Sequence, residues 1–94
     1  MNLPIQYEGF VISGASRVYN FVVPDIHQGI RQFSVNIPSE SFRSTHLKFQ
    51  DGPAISYERV KQELTGELPA HAQLHIGDQD IAEYMERHYP RKRR

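Results

Sequence analysis

The chain has 94 residues, 38% of them hydrophobic and 11% aromatic, which allows one buried core and argues against a disordered protein. It contains no cysteine, which excludes disulfide bonds and thiolate metal sites, and no run of the roughly 20 apolar residues that a membrane span needs. The net charge is zero, yet residues 91–94 hold four of the eleven positive charges, which leaves residues 1–90 with seven positive and eleven negative charges. We therefore expect one small α+β domain over residues 1–90, a basic tail over residues 91–94, a cytoplasmic location and no membrane partner.

The N-terminal part of the chain has the composition and alternation of β-strands. Residues 5–13 are rich in β-branched and aromatic residues, and residues 17–23 are apolar on both faces, which is typical of a central strand. Pro24 cannot donate to a strand ladder, so we expect the second strand to end there. Residues 30–37 alternate apolar with polar side chains, as in a half-buried strand. Two short connections then predict a three-stranded antiparallel meander.

The remaining residues predict helices and short strands. Helices are expected over residues 54–65 and 79–89, the second of them stopped by Pro90. Short additional strands are expected near residues 46–50 and 71–76, where apolar and polar side chains alternate. The inward stripe of the first helix is predicted from steps of three and four to be Ala54, Tyr57, Val60, Leu64 and Leu68.

His71 and His75 are the candidates for metal or catalytic chemistry. On a helix, two histidines four residues apart can share a metal, but the third ligand and the general base of a HExxH motif are missing. The alternation favours a strand, in which the two rings stand about 13 Å apart and cannot share an ion. We therefore predict no catalytic residue, no metal and no cofactor. A small hydrolase or metal-dependent enzyme using His71 and His75 is kept as an alternative.

The tail formed by Arg91, Lys92, Arg93 and Arg94 is the most basic segment of the chain. Such a segment can bind nucleic acid, an anionic surface or an acidic partner. The acidic charge of residues 1–90 would repel a phosphate backbone, so nucleic acid is not the expected partner. A nucleic-acid-associated accessory protein that uses this tail is the second hypothesis.

The first strand, residues 5–13, has few charges to discourage pairing with another strand. A small sheet with such an edge can accept a strand from a partner or from a second copy of itself. The leading hypothesis is therefore a non-catalytic protein–protein interaction or regulatory module. Its partner is another protein, and a homodimer through the edge strand is the second option.

Overall fold

The computed structural model describes residues 4–25, 27, 29–66 and 70–89. Within these residues the elements follow in the order β1 (Gln6–Ser13), β2 (Ser16–Asp25), β3 (Gly29–Pro38), α1 (Ser41–Ser44), a 3₁₀ turn (Phe49–Asp51), α2 (Gly52–Thr65), β4 (Gln73–His75) and α3 (Asp78–His88). The predicted α+β class is confirmed. None of the helices in the described ranges has the length and apolar character that crossing a membrane requires.

The first three strands form the predicted antiparallel meander, and the sheet order is β1-β2-β3-β4. Gly14 has φ +59, the left-handed conformation favoured at the first position of a two-residue hairpin, and it joins β1 to β2 with Ser13 opposite Ser16. β4 runs parallel to β3, as a strand reached through a helical crossover does. β2 is therefore central, as predicted, whereas β1 is an edge strand that pairs, among the described strands, with β2 alone.

The core lies on one face of the sheet, between the strands and helices α2 and α3. Alternate residues of β2 are buried there, while the residues between them on the opposite face are half-buried. Apolar burial of this kind is the main force that holds the helices to the sheet. The buried apolar side chains are Tyr19, Phe21, Val23, Phe33, Val35, Ile37, Leu47, Ile55, Val60, Leu74, Ile76, Ile81 and Tyr84.

Residues 46–50 do not form the predicted strand. The Leu47 side chain is buried, but the Thr45 hydroxyl accepts the Leu47 N–H at 3.0 Å, and Asp51 Oδ2 accepts the Lys48 N–H at 3.0 Å. Side-chain oxygens thus take the backbone donors that a neighbouring strand would need. The second short strand, predicted near residues 71–76, is confirmed as β4.

β2 continues past Pro24 to Asp25, so the prediction that Pro24 ends the strand is wrong. Pro24 lies opposite Ile30 of β3, whereas the pairing of β1 with β2 begins at Gln6 opposite Val22. At Pro24 the strand therefore has a neighbour on one side, and the missing N–H leaves no gap in a ladder on the other.

The predicted helices are confirmed to within two residues at each end. Within the predicted inward stripe of α2, Val60 is buried and Leu64 packs against the core, whereas Ala54 and Tyr57 are exposed and Leu68 lies outside the described residues. Ile55, which was not predicted, is buried instead. The start of α2 sets this phase, because Gly52 lies so close to the Tyr19 ring that a Cβ on residue 52 would overlap with the ring. The helix therefore presents Ile55, rather than Ala54, to the sheet.

Candidate interaction surface

The histidines chosen from the sequence lie on the surface and are not brought together with other ligands. His71 and His75 are exposed, and His75 is the last residue of β4. Among the described residues, no three His, Asp or Glu side chains form a group that could hold a metal ion. The His71 backbone N–H donates to Glu63 Oε2 at 2.9 Å, and this bond is the main reason why the pKa of Glu63 lies below its usual range. The contact fixes the chain before β4 to α2.

The basic tail lies outside the described residues. Arg91, Lys92, Arg93 and Arg94 therefore have no structural account, and nucleic-acid binding through them stays a prediction.

Asp51, at the start of α2, is a buried carboxylate. Its side chain is 3% exposed, and Oδ1 accepts hydrogen bonds from the hydroxyls of Tyr84 at 3.3 Å and Tyr89 at 2.9 Å. Burial, followed by the charge and hydrogen bond of Asp51, raises the pKa of Tyr84 to about 12. Because Oδ2 accepts the Lys48 N–H, both carboxylate oxygens have partners, and the group joins α3 to the start of α2.

Glu58 of α2 makes a second link to α3. It hydrogen-bonds with Arg87 and lies 2.6 Å from His88 Nε2. Partial burial pulls the pKa of Glu58 upward, but the hydrogen bonds from Arg87 and His88 outweigh it, so the pKa lies below its usual range. This carboxylate, like Asp51, therefore serves contacts between helices.

The surface with the most exposed apolar side chains lies along β1. Eight large hydrophobic side chains are exposed in the described part of the chain, and four of them, Tyr7, Phe10, Val11 and Ile12, belong to β1. We call these four residues the β1 edge. A bulge between Tyr7 and Gly9, which has φ +114, interrupts the strand, and the regular pairing with β2 resumes at Gly9, opposite Asn20.

A stack of aromatic rings around an arginine continues the β1 edge towards the 3₁₀ turn. Arg17 Cζ lies 4.5 Å from the ring centroid of Phe10, 4.1 Å from that of Phe49 and 5.7 Å from that of Phe42. We call these four residues the Arg17 cluster. Distances below about 6 Å place a guanidinium within the attraction of an aromatic face. Phe49 is 57% exposed and Phe10 is 43% exposed, so the cluster opens to solvent.

The Arg17 cluster rests on the core through Tyr19. The rings of Phe10 and Tyr19 lie 5.4 Å apart, and burial raises the pKa of Tyr19 while the close approach and the charge of Arg17 oppose the rise. The contact between Arg17 and the Tyr19 hydroxyl lacks the geometry of a full hydrogen bond. The guanidinium is therefore held by the aromatic rings and by its approach to this hydroxyl.

Sequence reasoning identified β1 as an open strand but missed the Arg17 cluster. The one local signal is that Arg17 shares a strand face with Tyr19 and Phe21, where a charged side chain is out of place. Phe42 and Phe49 come from elements far along the chain, so their arrival at Arg17 needed the fold.

No family model, curated protein or solved structure matches this chain. What the protein does must therefore be argued from its own surfaces. Of those described above, the β1 edge and the Arg17 cluster combine exposed apolar side chains, a strand edge that no described residue pairs with, and a cation packed against aromatic rings.

Proposed function

We propose that this protein is a cytoplasmic, non-catalytic interaction module that receives an extended segment of another protein along the β1 edge. The observation that carries the proposal is the concentration of exposed apolar side chains on an edge strand. Exposed apolar groups that lie together commonly mark interaction sites, whereas single ones scattered over a surface need no explanation.

The backbone of β1 supplies the second part of the docking site. In an antiparallel ladder, alternate residues direct their N–H and C=O groups towards the neighbouring strand, so the other half of these groups on β1 face outward. An added strand would hydrogen-bond to them, and its side chains would contact Phe10 and Ile12. Glu8 is the one charged residue of β1, so little charge opposes such pairing.

The test is selection of binding peptides by the intact protein. A random library of dodecapeptides displayed on phage is passed over the immobilised chain, and the affinities of the recovered peptides are measured by fluorescence anisotropy. We expect Ile12→Lys to weaken binding by about tenfold or more, because lysine on an edge strand opposes strand addition. The matched control is Ile30→Lys, since Ile30 is 61% exposed against 67% for Ile12 and lies on β3.

The proposal is supported if the recovered peptides bind wild type and Ile30→Lys with affinities within about twofold of each other and bind Ile12→Lys far more weakly. Recovery of no peptide above the bare support would overturn it, and so would peptides that bind all three proteins equally. Sedimentation of the protein alone adds a further result: a dimer that Ile12→Lys dissociates would show that the edge binds protein and that its occupant is a second copy.

A further inference from the structure

We infer that the Arg17 cluster binds the carboxylate of an aspartate or glutamate in the partner segment that docks on the β1 edge. The inference rests on the proposed function and adds the chemistry of the partner: an extended, mainly apolar segment of another protein that carries one acidic residue. The contact would fix the register of the added strand.

The first argument is the state of Arg17 compared with the other arginines. Four of the five arginines in the described ranges donate to a carboxylate or carbonyl oxygen, and these are Arg31, Arg43, Arg59 and Arg87. Arg17, the fifth, contacts rings and has no carboxylate or carbonyl acceptor among the described residues. Apart from the one directed at the Tyr19 hydroxyl, its N–H donors therefore remain available to a ligand.

The second argument is the geometry of the stack. Rings on a guanidinium face leave the edge of the guanidinium plane open, and that edge carries the paired N–H groups that match a carboxylate. The ring centroids of Phe10 and Phe49 lie 4.5 and 4.1 Å from Arg17 Cζ, which are distances at which a guanidinium packs over an aromatic face. A cation already ordered by stacking loses less side-chain freedom when it binds, which favours its use in recognition.

The third argument is the position of Arg17 relative to an added strand. Arg17 lies opposite Ile12 in the ladder of β1 and β2, and its guanidinium lies over Phe10. A partner residue paired with Phe10 or Ile12 has its Cβ about 5 Å from theirs and on the same face. An acidic side chain at either position can therefore reach Arg17.

The charge of the chain favours a protein segment over nucleic acid as the occupant. Residues 1–90 carry seven positive and eleven negative charges. A surface that binds a phosphate backbone depends on several cations along its path, whereas a single stacked arginine suits a single carboxylate. Self-pairing of β1 does not supply that carboxylate, because Glu8 lies beside Asn20 and Ser34 on the sheet face opposite the Arg17 cluster.

The test uses the peptides recovered by the dodecapeptide selection. We expect their sequences to share one acidic residue flanked by apolar residues. Replacing that acidic residue with glutamine should weaken binding to wild type by about tenfold, whereas Arg17→Met should bind the acidic and glutamine peptides equally. Arg43→Met is the matched control. Arg43 lies on α1, is exposed, and forms an ion pair with Glu40, the residue before this helix. Circular dichroism and melting of each variant confirm that it is folded.

The outcomes separate the two proposals. Peptides that bind through Ile12 but show no acidic preference, or whose preference survives Arg17→Met, would overturn this inference and leave the proposed function standing. Failure to recover any peptide would overturn the proposed function itself. Two other results would also overturn the inference. If the protein binds an oligothymidine of about 20 nucleotides and Arg17→Met does not, the occupant is nucleic acid. If the protein forms a dimer that Ile12→Lys dissociates, the occupant is a second copy.

Discussion

Removal of the Asp51 carboxylate should lower the free energy of unfolding, because buried donors lose the acceptor that this side chain provides. In Asp51→Ala, the Tyr84 hydroxyl loses its acceptor while its side chain stays 3% exposed, and the Lys48 N–H loses its partner as well. A buried donor left without a partner costs about 1–3 kcal/mol of folding free energy, and a lost side-chain acceptor at the start of a helix costs about 1 kcal/mol. We therefore expect a loss of about 2–4 kcal/mol, which for a domain of this size lowers Tm by roughly 10–25 °C.

A mutant cycle with Tyr84→Phe separates the hydrogen bond from the rest of the change. In the wild-type background Tyr84→Phe should cost about 1 kcal/mol, because it removes a hydrogen bond to a carboxylate that keeps its bond from Tyr89. In the Asp51→Ala background the same change removes an orphaned hydroxyl and should be neutral or stabilising.

Urea unfolding followed by circular dichroism measures the four free energies of this cycle. The pKa of Tyr84, about 12 in the wild type, should also fall in Asp51→Ala yet stay above its usual value, because burial remains. Ultraviolet titration of the tyrosines follows this change. If Tyr84→Phe costs the same in both backgrounds, Asp51 is not the acceptor that stabilises Tyr84, and the reasoning fails.

Two further predictions concern the start of α2 and its link to α3. Gly52→Ala should destabilise the protein by about 1–3 kcal/mol in urea unfolding, because the new Cβ would overlap with the Tyr19 ring. Gly66→Ala is the control, since its Cβ would meet only an ordinary contact at 3.5 Å, and an equal loss in both variants would contradict the explanation. The pKa of folded Glu58 lies below its usual 4.5, so its stabilising effect is complete above pH 4.5 and is lost as the pH falls through the folded pKa. The difference in unfolding free energy between wild type and Glu58→Gln should therefore shrink below pH 4.5. A difference that stays constant in acid would refute the ion-pair explanation. The explanation would also fail if the exposed Glu86→Gln changed the unfolding free energy by the same amount as Glu58→Gln.

The meander could be predicted from the sequence because its signals are local. The alternation in residues 30–37 and the glycine at position 14 act over a few residues, and β3 and the hairpin formed where these signals predict. The helices could be located for the same reason, since their apolar periodicity extends over three turns of α2 and α3.

Features that depend on distant residues could not be predicted in this way. Residues 46–50 alternate like a strand, yet Asp51 and Thr45 take their backbone donors. The phase of α2 depends on Gly52 meeting Tyr19, which is 33 residues earlier in the chain. The Arg17 cluster likewise joins four residues from β1, β2, α1 and the 3₁₀ turn. In each case a tertiary contact decides between local structures that the sequence pattern allows.

The most direct test of strand addition at β1 is residue-resolved amide exchange, measured by NMR with and without a peptide recovered by the selection. In the free protein, alternate β1 amides should exchange rapidly, because half of them face away from β2 and meet no other described strand. With peptide bound, we predict that these outward amides, in the stretch from Phe10 to Ser13, become protected by about tenfold or more, while the amides of β4 do not change. Unchanged exchange in β1, with protection appearing elsewhere in the protein, would contradict the account.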